Sequence, residues 1–157
     1  MMKEAESMET IYLRVADESD MDLIFQWANE PMVRKNSFSS RIITYEEHVQ
    51  WYKKLLNNPC SRQYILICNE QPVGQARITA EGDTAEIGYS ICAGQRSHGY
   101  GKELLHLITE QAWKDFPEIS RVIGKIKPEN TASLKAFADA GYTEKYREYE
   151  IKKSDRL

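Results

Sequence analysis

Hydrophobic and polar residues alternate along several short stretches of this chain, which is the pattern of β-strands with one buried face. The short turns NEQP and GD join three of these stretches, and turns of that length predict an antiparallel meander. The C-terminal stretch, residues 142–153, is long enough for one or two strands. In chain order the predicted strands are TIYLRVA (10–16), RQYILICN (62–69), VGQARITAE (73–81), TAEIGYSIC (84–92), SRVIGKIKP (120–128) and YTEKYREYEIKK (142–153).

Between the strands, hydrophobic residues recur at every third or fourth position, which predicts helices. The segment ADESD (16–20) supplies capping side chains to the first helix, which Pro31 ends. Thr44 begins a capping sequence for the second helix, and Gly141 stops the last one. The predicted helices are MDLIFQWANE (21–30) and residues 45–56, 99–113 and 130–140.

The predicted order is β-α-α-β-β-β-α-β-α-β, without a repeat, a linker or a low-complexity segment. Two strand-helix-strand passages near the middle imply locally parallel neighbours, because such connections return the chain in the same direction. A chain of 157 residues fits one domain. The sequence therefore predicts a single mixed α/β domain over residues 1–157, with a polar, disordered tail at 1–9.

Composition narrows the function classes. The chain has 21 Lys and Arg against 24 Asp and Glu, without a polybasic block, which argues against a nucleic-acid partner. It has no apolar run of the ~20 residues that a membrane span requires. Three cysteines, Cys60, Cys68 and Cys92, are odd in number and lack metal-ligand spacing. We therefore expect a cytoplasmic protein with no disulfide framework and no metal.

The most informative stretch is QRSHGYGK (95–102), between an apolar strand and a long helix. Its glycines allow close approach of the backbone, and the helix N-terminus aims unpaired N–H groups at an anion. A Gly-x-Gly turn also occurs at ordinary helix boundaries, so the motif alone is weak. The third glycine of a dinucleotide fingerprint and the G-x-x-x-x-G-K-[ST] phosphate loop are both absent.

Two segments resemble one family. RSHGYG (96–101) resembles the [QR]-x-x-G-x-[GA] signature of the GNAT acetyltransferase superfamily, and PENTASLKAFADAGY (128–142) resembles its N-x-x-[AS]-x(7)-G-[FY] segment. The matching positions of the second segment are Asn130, Ser133, Gly141 and Tyr142. The resemblance implies a GNAT fold: a mostly antiparallel sheet of six to seven strands with a central, splayed parallel pair and about four flanking helices.

The resemblance also implies acetyl-CoA as co-substrate, held where the fourth and fifth strands separate. Its pyrophosphate would lie on the amides of residues 96–102, and its pantetheine arm along the backbone of Ile91 and Ala93 like an added strand. Arg96 and Lys102 either add charge there or remain solvated. Asn130 is also a predicted helix N-cap. The implied cofactor-binding residues are Ile91, Ala93, Arg96, Ser97, His98, Gly99, Tyr100, Gly101, Lys102, Asn130 and Phe137.

Two residues are candidates for catalysis. Glu86, an acid on an apolar strand beside the implied cleft, is the candidate base, acting through water; the alternative is a solvated glutamate on the sheet face. The family's thiolate-protonating tyrosine is Phe137 here, which cannot donate a proton. Ser133 is then the leading candidate acid, as in GNAT members that acetylate ribosomal proteins. Its alternative is a helix serine bonded to its own backbone.

The acceptor region is expected in residues 27–52. Its patterns N-x-P-x-V-R-x-x-S-F and I-T-x-E-E-H-x-x-W resemble GNAT members that acetylate UDP-linked amino sugars, including those of pseudaminic acid synthesis. Alternatively, His48 and Trp51, three positions apart, pack their helix onto the sheet. The predicted acceptor-binding residues are Arg34, Asn36, Ser37, Phe38, His48 and Tyr89.

The resemblance thus implies direct acetyl transfer, in a ternary complex, to the primary amine of a small molecule, with a nucleotide-linked amino sugar as the favoured acceptor. A ribosomal-protein-type N-terminal acetyltransferase and a noncatalytic acyl-CoA-binding module are the alternatives. A homodimer formed through the C-terminal strand is also open. The sequence leaves the acyl-chain preference undecided.

Overall fold

The computed structural model describes residues 9–155, and its centre is a five-stranded sheet in the order β1-β2-β3-β4-β5. Neighbouring strands are antiparallel from β1 to β4, whereas β4 and β5 are parallel. This is the mixed α/β fold that the sequence predicts. The strands are β1 (Ile11–Val15), β2 (Ser61–Cys68), β3 (Gln71–Glu81), β4 (Thr84–Ile91) and β5 (Arg121–Ile123).

Five α-helices cover the two faces of this sheet. Pro31, which was expected to end the first helix, instead begins a separate short helix, because proline is well suited to a first helical position. Thr44 caps the third helix as predicted, through a reciprocal capping box with Glu47. The helices are α1 (Met21–Ala28), α2 (Pro31–Asn36), α3 (Tyr45–Asn57), α4 (Tyr100–Asp115) and α5 (Thr131–Asp139).

The strand alternation divides the core into two layers. On one face, Leu66, Ile78 and Ile87 of β2, β3 and β4 pack against α4 and α5, and α4 contributes Leu104 and Ile108 to this layer. On the other face, α1 and α3 pack against β2 through a smaller cluster that includes Ile24, Tyr52, Leu55, Ile65 and Ile67. Successive side chains of a strand point to opposite faces, so each central strand serves both layers.

The prediction of six to seven strands is wrong for the described residues. Residues 142–152 form no strand ladder, and the predicted strand at 120–128 is reduced to the three residues of β5. Tyr146, Tyr149 and Ile151 are 75%, 87% and 76% exposed. Alternation favours a strand only where a neighbour covers one face, and here the apolar side chains have no such surface.

The parallel pair separates after three residue pairs. Thr84, Ala85 and Glu86 of β4 lie opposite β5, whereas the rest of β4 has no partner on that side. The ring of Phe137 lies against this separation, with its centroid 6.1 Å from that of Tyr89 on β4. A Cβ at Gly124, directly after β5, would clash with the same ring. The splayed pair is therefore held apart by a buried aromatic ring.

Glu9, at the start of the described residues, contacts both α4 and β2. The tail predicted for residues 1–9 lies outside the described residues except for Glu9, whose carboxylate accepts hydrogen bonds from the Tyr100 hydroxyl at 2.9 Å and the Cys68 thiol at 3.1 Å. Between residues 9 and 155, no helix has the length and apolarity needed to cross a bilayer. The same residues hold no His, Cys, Asp or Glu cluster that could bind a metal.

Candidate functional site

The unpaired half of β4 forms one wall of a cleft, and residues 124–127, after β5, form the other. At one end of this cleft, a turn leads from β4 into α4. Ser97 and Gly99 adopt left-handed backbone conformations there, with φ of 68° and 79°. Glycine adopts that conformation without steric cost. The predicted glycine-rich junction of strand, turn and helix is thus present in the structure.

The backbone amides of this turn are available to a ligand. Among residues 9–155, no acceptor takes a hydrogen bond from the amides of residues 96–102. They lie at the N-terminus of α4, whose 16 residues give it a substantial dipole. A Cβ at Gly99 would meet no atom within 4 Å, so the surface of the turn is open. The residues present therefore fit a pyrophosphate group.

The side chains of the turn have other contacts. Arg96, expected near phosphate, forms an ion pair with Glu30 at 2.6 Å and thereby lowers the pKa of Glu30. The Tyr100 hydroxyl is bonded to Glu9, and the His98 ring stacks on the Tyr100 ring at 5.6 Å. Lys102 is exposed. Cofactor contacts by these side chains remain predictions, whereas the backbone amides have the geometry for them.

Helix α2 bridges the two walls of the cleft. Glu30, its N-cap residue, holds Arg96 on the side of β4. At the other end of the helix, the Lys35 carbonyl accepts a hydrogen bond from the Lys127 ammonium at 3.0 Å on the side of β5. Beside this contact is a cavity of about 380 Å³, lined by Lys35, Asn36, Lys127, Pro128 and Glu129.

Two hydroxyl groups meet beside the aromatic ring that separates the strands. The Tyr89 hydroxyl lies 3.1 Å from Ser133 Oγ, and Ser133 is buried. Asn130 caps α5 by accepting a hydrogen bond from the Ser133 amide at 3.2 Å, as predicted. A Cβ at Gly101 would lie 3.8 Å from the Tyr89 hydroxyl. This pair of hydroxyls therefore lies between α5 and the glycine-rich turn.

Tyr89 was predicted as an acceptor contact, but the structure places it on the other side of β4. Its ring packs in the layer of α4 and α5, with Ile87 and Ile91. Burial raises the pKa of Tyr89, so the hydroxyl keeps its proton at neutral pH. The period-two alternation of β4 contained this information, since residues 87, 89 and 91 must share a face.

Glu86 lies at the point where the parallel strands separate, opposite Ile123. Its carboxylate is 3.0 Å from the Lys125 ammonium, and its side chain is 46% exposed. The ion pair raises the pKa of Lys125. Glu86 is therefore a paired, half-exposed carboxylate at the mouth of the cleft, rather than an acid in an apolar pocket.

Two of the predicted acceptor residues have internal roles. Arg34 donates hydrogen bonds to the carbonyls of Ala28, Ser39 and Arg41 at 2.6, 3.1 and 3.2 Å, so its guanidinium holds the loop after α2. His48 is 1% exposed, and its Nε2 lies 2.9 Å from the Met21 carbonyl. Burial lowers the pKa of His48, which keeps the ring neutral.

The acceptor contacts of Arg34 and His48 remain predictions, and both side chains have partners within the protein. The sequence shows that a residue in a loop or helix is polar, but not whether its hydrogen-bond partner is a ligand or the protein backbone. Ser37 joins the same loop network, because its hydroxyl donates to the Val33 carbonyl at 2.6 Å. Asn36 lines the cavity beside α2, and Phe38 is 70% exposed.

A row of polar side chains that the sequence did not predict lies on the face of the sheet toward α3. Gln63 Nε2 donates to Gln75 Oε1 at 2.6 Å, and Gln75 Nε2 donates to Ser90 Oγ at 3.0 Å. Arg77 lies on the same face of β3, with its guanidinium over the Trp51 ring. Alternating polar residues in VGQARITAE, read at period two, could have revealed this row.

Comparisons with known proteins agree with this geometry. Residues 10–143 match the family described as "Acetyltransferase (GNAT) domain". The chain is 24% identical over 128 residues to acetyltransferase PseH of Campylobacter jejuni subsp. jejuni serotype O:23/36 (strain 81-176), covering 79% of this chain and 77% of PseH.

Solved structures share the fold at low sequence identity. Spermidine N-acetyltransferase from Vibrio cholerae, in complex with CoA and spermine, superposes with a TM-score of 0.80 at 15% identity over 90% of this chain and 88% of that one. Aminoglycoside acetyltransferase AAC(6')-Ib, in complex with ribostamycin and coenzyme A, gives a TM-score of 0.74 at 20% identity, over 84% and 82%.

Replacing Gly101 by valine tests the glycine-rich turn. We expect Gly101→Val to weaken acetyl-CoA binding by about tenfold or more, because a branched side chain on the first turn of α4 covers the free amides. Isothermal titration calorimetry measures the affinity, and thermal unfolding measures stability. His106→Val, at an exposed position of the same helix, is the control. Unchanged affinity in a folded Gly101→Val protein would contradict the assignment.

Proposed function

Because the chain belongs to the GNAT acetyltransferase family, we propose that it acetylates the primary amine of a small molecule, with a nucleotide-linked amino sugar as the favoured acceptor. The chain is an acetyltransferase that uses acetyl-CoA. The acceptor and the direct transfer in a ternary complex are the parts that we infer. The observation that carries the proposal is the free row of amides at 96–102, next to the cleft beside β4.

The donor side of the site lies toward α4 and α5. When bound, acetyl-CoA supplies an acetyl thioester, which is already activated for attack by an amine. The amides of residues 96–102 would hold its pyrophosphate, and the unpaired edge of β4 at Ile91, with Ala93 beyond it, offers backbone groups to an extended arm. The protein then acts largely by holding donor and acceptor together, which accounts for much of the rate in two-substrate reactions.

Glu86 is the base in this proposal. It lies where the two walls of the cleft meet, on the face of β4 toward α1 and α3. Glu86 is held 3.0 Å from the Lys125 ammonium, and the partial exposure of its side chain leaves room for a bridging water. Glu86 accepts the proton of the acceptor ammonium through that water, because only the neutral amine attacks a thioester.

Ser133 and Tyr89 hold the proton that the leaving thiolate requires. Their hydroxyls are 3.1 Å apart and lie beside Phe137, at the position where the family's tyrosine is missing. A serine alone is a poor acid, but a hydroxyl that receives a hydrogen bond from tyrosine gives up its own proton more easily. Tyr89 therefore supports Ser133 in place of the absent tyrosine.

The small-amine acceptor is inferred from two features. The relative named acetyltransferase PseH covers most of the chain, and residues 29–51 have the pattern that resembles acetyltransferases of UDP-linked amino sugars. In addition, the cleft opens toward the polar row of Gln75 and Ser90 on the sheet face, which suits a hydroxyl-rich acceptor.

A panel of amines tests the proposed acceptor. We expect thiol release from acetyl-CoA to be at least about tenfold faster with UDP-linked 4-amino sugars than with free amino sugars, polyamines, amino acids or N-terminal peptides. Acetyl-CoA affinity is measured in parallel. Turnover with peptides alone would favour the ribosomal type of enzyme. Tight binding of acetyl-CoA without any turnover would favour a noncatalytic module.

Replacing Glu86 by glutamine tests the base. We expect Glu86→Gln to lower kcat by about 100-fold while the affinity for acetyl-CoA is retained. The rate of the variant should keep rising with pH until the acceptor amine is itself deprotonated, because water must then take the proton. Glu81→Gln, an exposed carboxylate on β3, is the matched control. A pH profile identical to that of the unmodified enzyme would remove Glu86 from the mechanism.

A double-mutant cycle tests the hydroxyl pair. We expect Ser133→Ala and Tyr89→Phe each to lower kcat by about 10- to 100-fold, and the double variant to be no slower than the worse single variant. Two residues that act as one unit give such non-additive losses. Tyr142→Phe removes a hydroxyl of the same aromatic cluster that is bonded to Thr109, and should leave kcat unchanged. Additive losses would separate the two roles.

A further inference from the structure

Arg77 carries a charge without a carboxylate in direct contact, and Glu86 acts on it only at longer range. It lies on β3, is partly buried, and its guanidinium is 5.2 Å from the centroid of the Trp51 ring. In the described part of the chain it forms no ion pair and donates no hydrogen bond. Arginine stays protonated even when burial lowers its pKa, as it does here. A cation removed from water without an anionic partner is unfavourable.

Arg77 lines a cavity of about 310 Å³ between α3 and the sheet. A second cation, Lys54, also lines it, and the remaining polar groups are two hydroxyls and one amide. The indole of Trp51 forms part of the wall. The lining residues are Trp51, Lys54, Leu55, Asn58, Ser61, Arg77 and Thr79. Two cations with hydroxyl and amide groups suit an anion with several oxygens, such as a phosphoryl group.

The strand register places Arg77 and Thr79, which line this cavity, beside the residues of β4 at the cleft. Arg77 lies opposite Gly88 of β4, and Thr79 lies opposite Glu86, so all four positions share one face of the sheet. A Cβ at Gly88 would meet no atom within 4 Å, which leaves an open shelf between Arg77 and β4. Diagonal neighbours on antiparallel strands are roughly 7–8 Å apart. A ligand about one sugar ring long would therefore reach from Arg77 to Glu86.

An unused hydrogen-bond acceptor lies beside Arg77. Gln63 of β2 is opposite Arg77 in the register and only 3% exposed. Its Nε2 donates to Gln75 Oε1, but its Oε1 has no partner. Buried acceptors are rarely left unpaired, because the loss of hydration is not compensated. Gln63 does not line the cavity, so this atom adds an uncompensated polar group next to Arg77 and no contact to a ligand.

We propose that the cavity of Arg77 and Trp51 binds a phosphoryl group of the acceptor, which places the acceptor amine over Gly88 beside Glu86. The inference rests on the proposed function and adds a requirement to it: the acceptor carries phosphate about one sugar ring away from its amine. Arg77 would then be the residue that distinguishes phosphorylated acceptors from free amines.

Binding of phosphoryl probes tests the cavity without catalysis. The probes are pyrophosphate, UMP and UDP, with uridine as the uncharged comparison, and CoA is present at saturation so that residues 96–102 are occupied. The indole N–H resonance of Trp51, identified with Trp51→Phe, reports binding locally. We expect UDP or pyrophosphate to shift this resonance, and Arg77→Met to weaken that binding at least tenfold, whereas uridine has no effect.

Arg62→Met is the matched control, since Arg62 lies on the neighbouring strand and its guanidinium is over Phe116, in the opposite layer. Arg77→Lys, which keeps the charge, should retain part of the affinity, and thermal unfolding verifies that each variant is folded. Binding by UMP and UDP but not pyrophosphate would identify a nucleotide as the source of the phosphoryl group. Equal shifts with pyrophosphate would assign the affinity to the phosphates alone.

The outcomes distinguish failure of the proposed phosphoryl site from failure of the proposed function. If the folded Arg77→Met protein binds every probe as tightly as the unmodified protein, or if no probe moves the Trp51 resonance, the inference is overturned and acetyl transfer is untouched. The inference would also be overturned if the enzyme acetylated amines without a phosphate group rapidly and Arg77→Met did not change that rate. Phosphoryl binding that depends on Arg77, in a protein that acetylates nothing, would retain the site and refute the proposed function.

Discussion

The separation of β4 from β5 is the constraint on which the rest of the structure depends. Parallel pairing ends at Glu86, and beyond it the buried ring of Phe137 lies against Tyr89 and Gly124 where a continuous ladder would otherwise form. Backbone groups that a sheet would satisfy are thereby left facing a cleft. The position of this one ring therefore determines the shape of the site.

Strand β4 has a different environment on each of its two faces. Its odd-numbered residues, such as Tyr89 and Ile91, point toward α4 and α5 on the donor side. Its even-numbered residues, Glu86, Gly88 and Ser90, point toward the polar row and the cavity under α3. Because of the pleat alone, Glu86, the proposed base, and Tyr89, part of the proposed acid pair, lie on opposite faces of the same strand.

The sequence predicted the elements whose signals are local. The meander, the capping box at Thr44 and the glycine-rich turn are each encoded by a few adjacent residues, and each is present. The closing strands depend on partners distant in the chain, and that prediction failed, whereas the acceptor role of Arg34 remains a prediction. The alternation of β3 and β4 is enough to predict the sheet face on which Tyr89 and Arg77 lie. Only the structure shows which partners each side chain has and which it lacks.

Helix α2 joins the two walls of the cleft through Glu30 with Arg96 and through Lys35 with Lys127. A phosphate that recruits Arg96 must compete with Glu30, so donor affinity includes the free energy of breaking that ion pair. Any acceptor that repositions α2 changes the same free energy, and thermodynamic linkage makes the effect mutual. Through this ion pair, Glu30 couples the proposed donor site to the proposed acceptor side of the cleft.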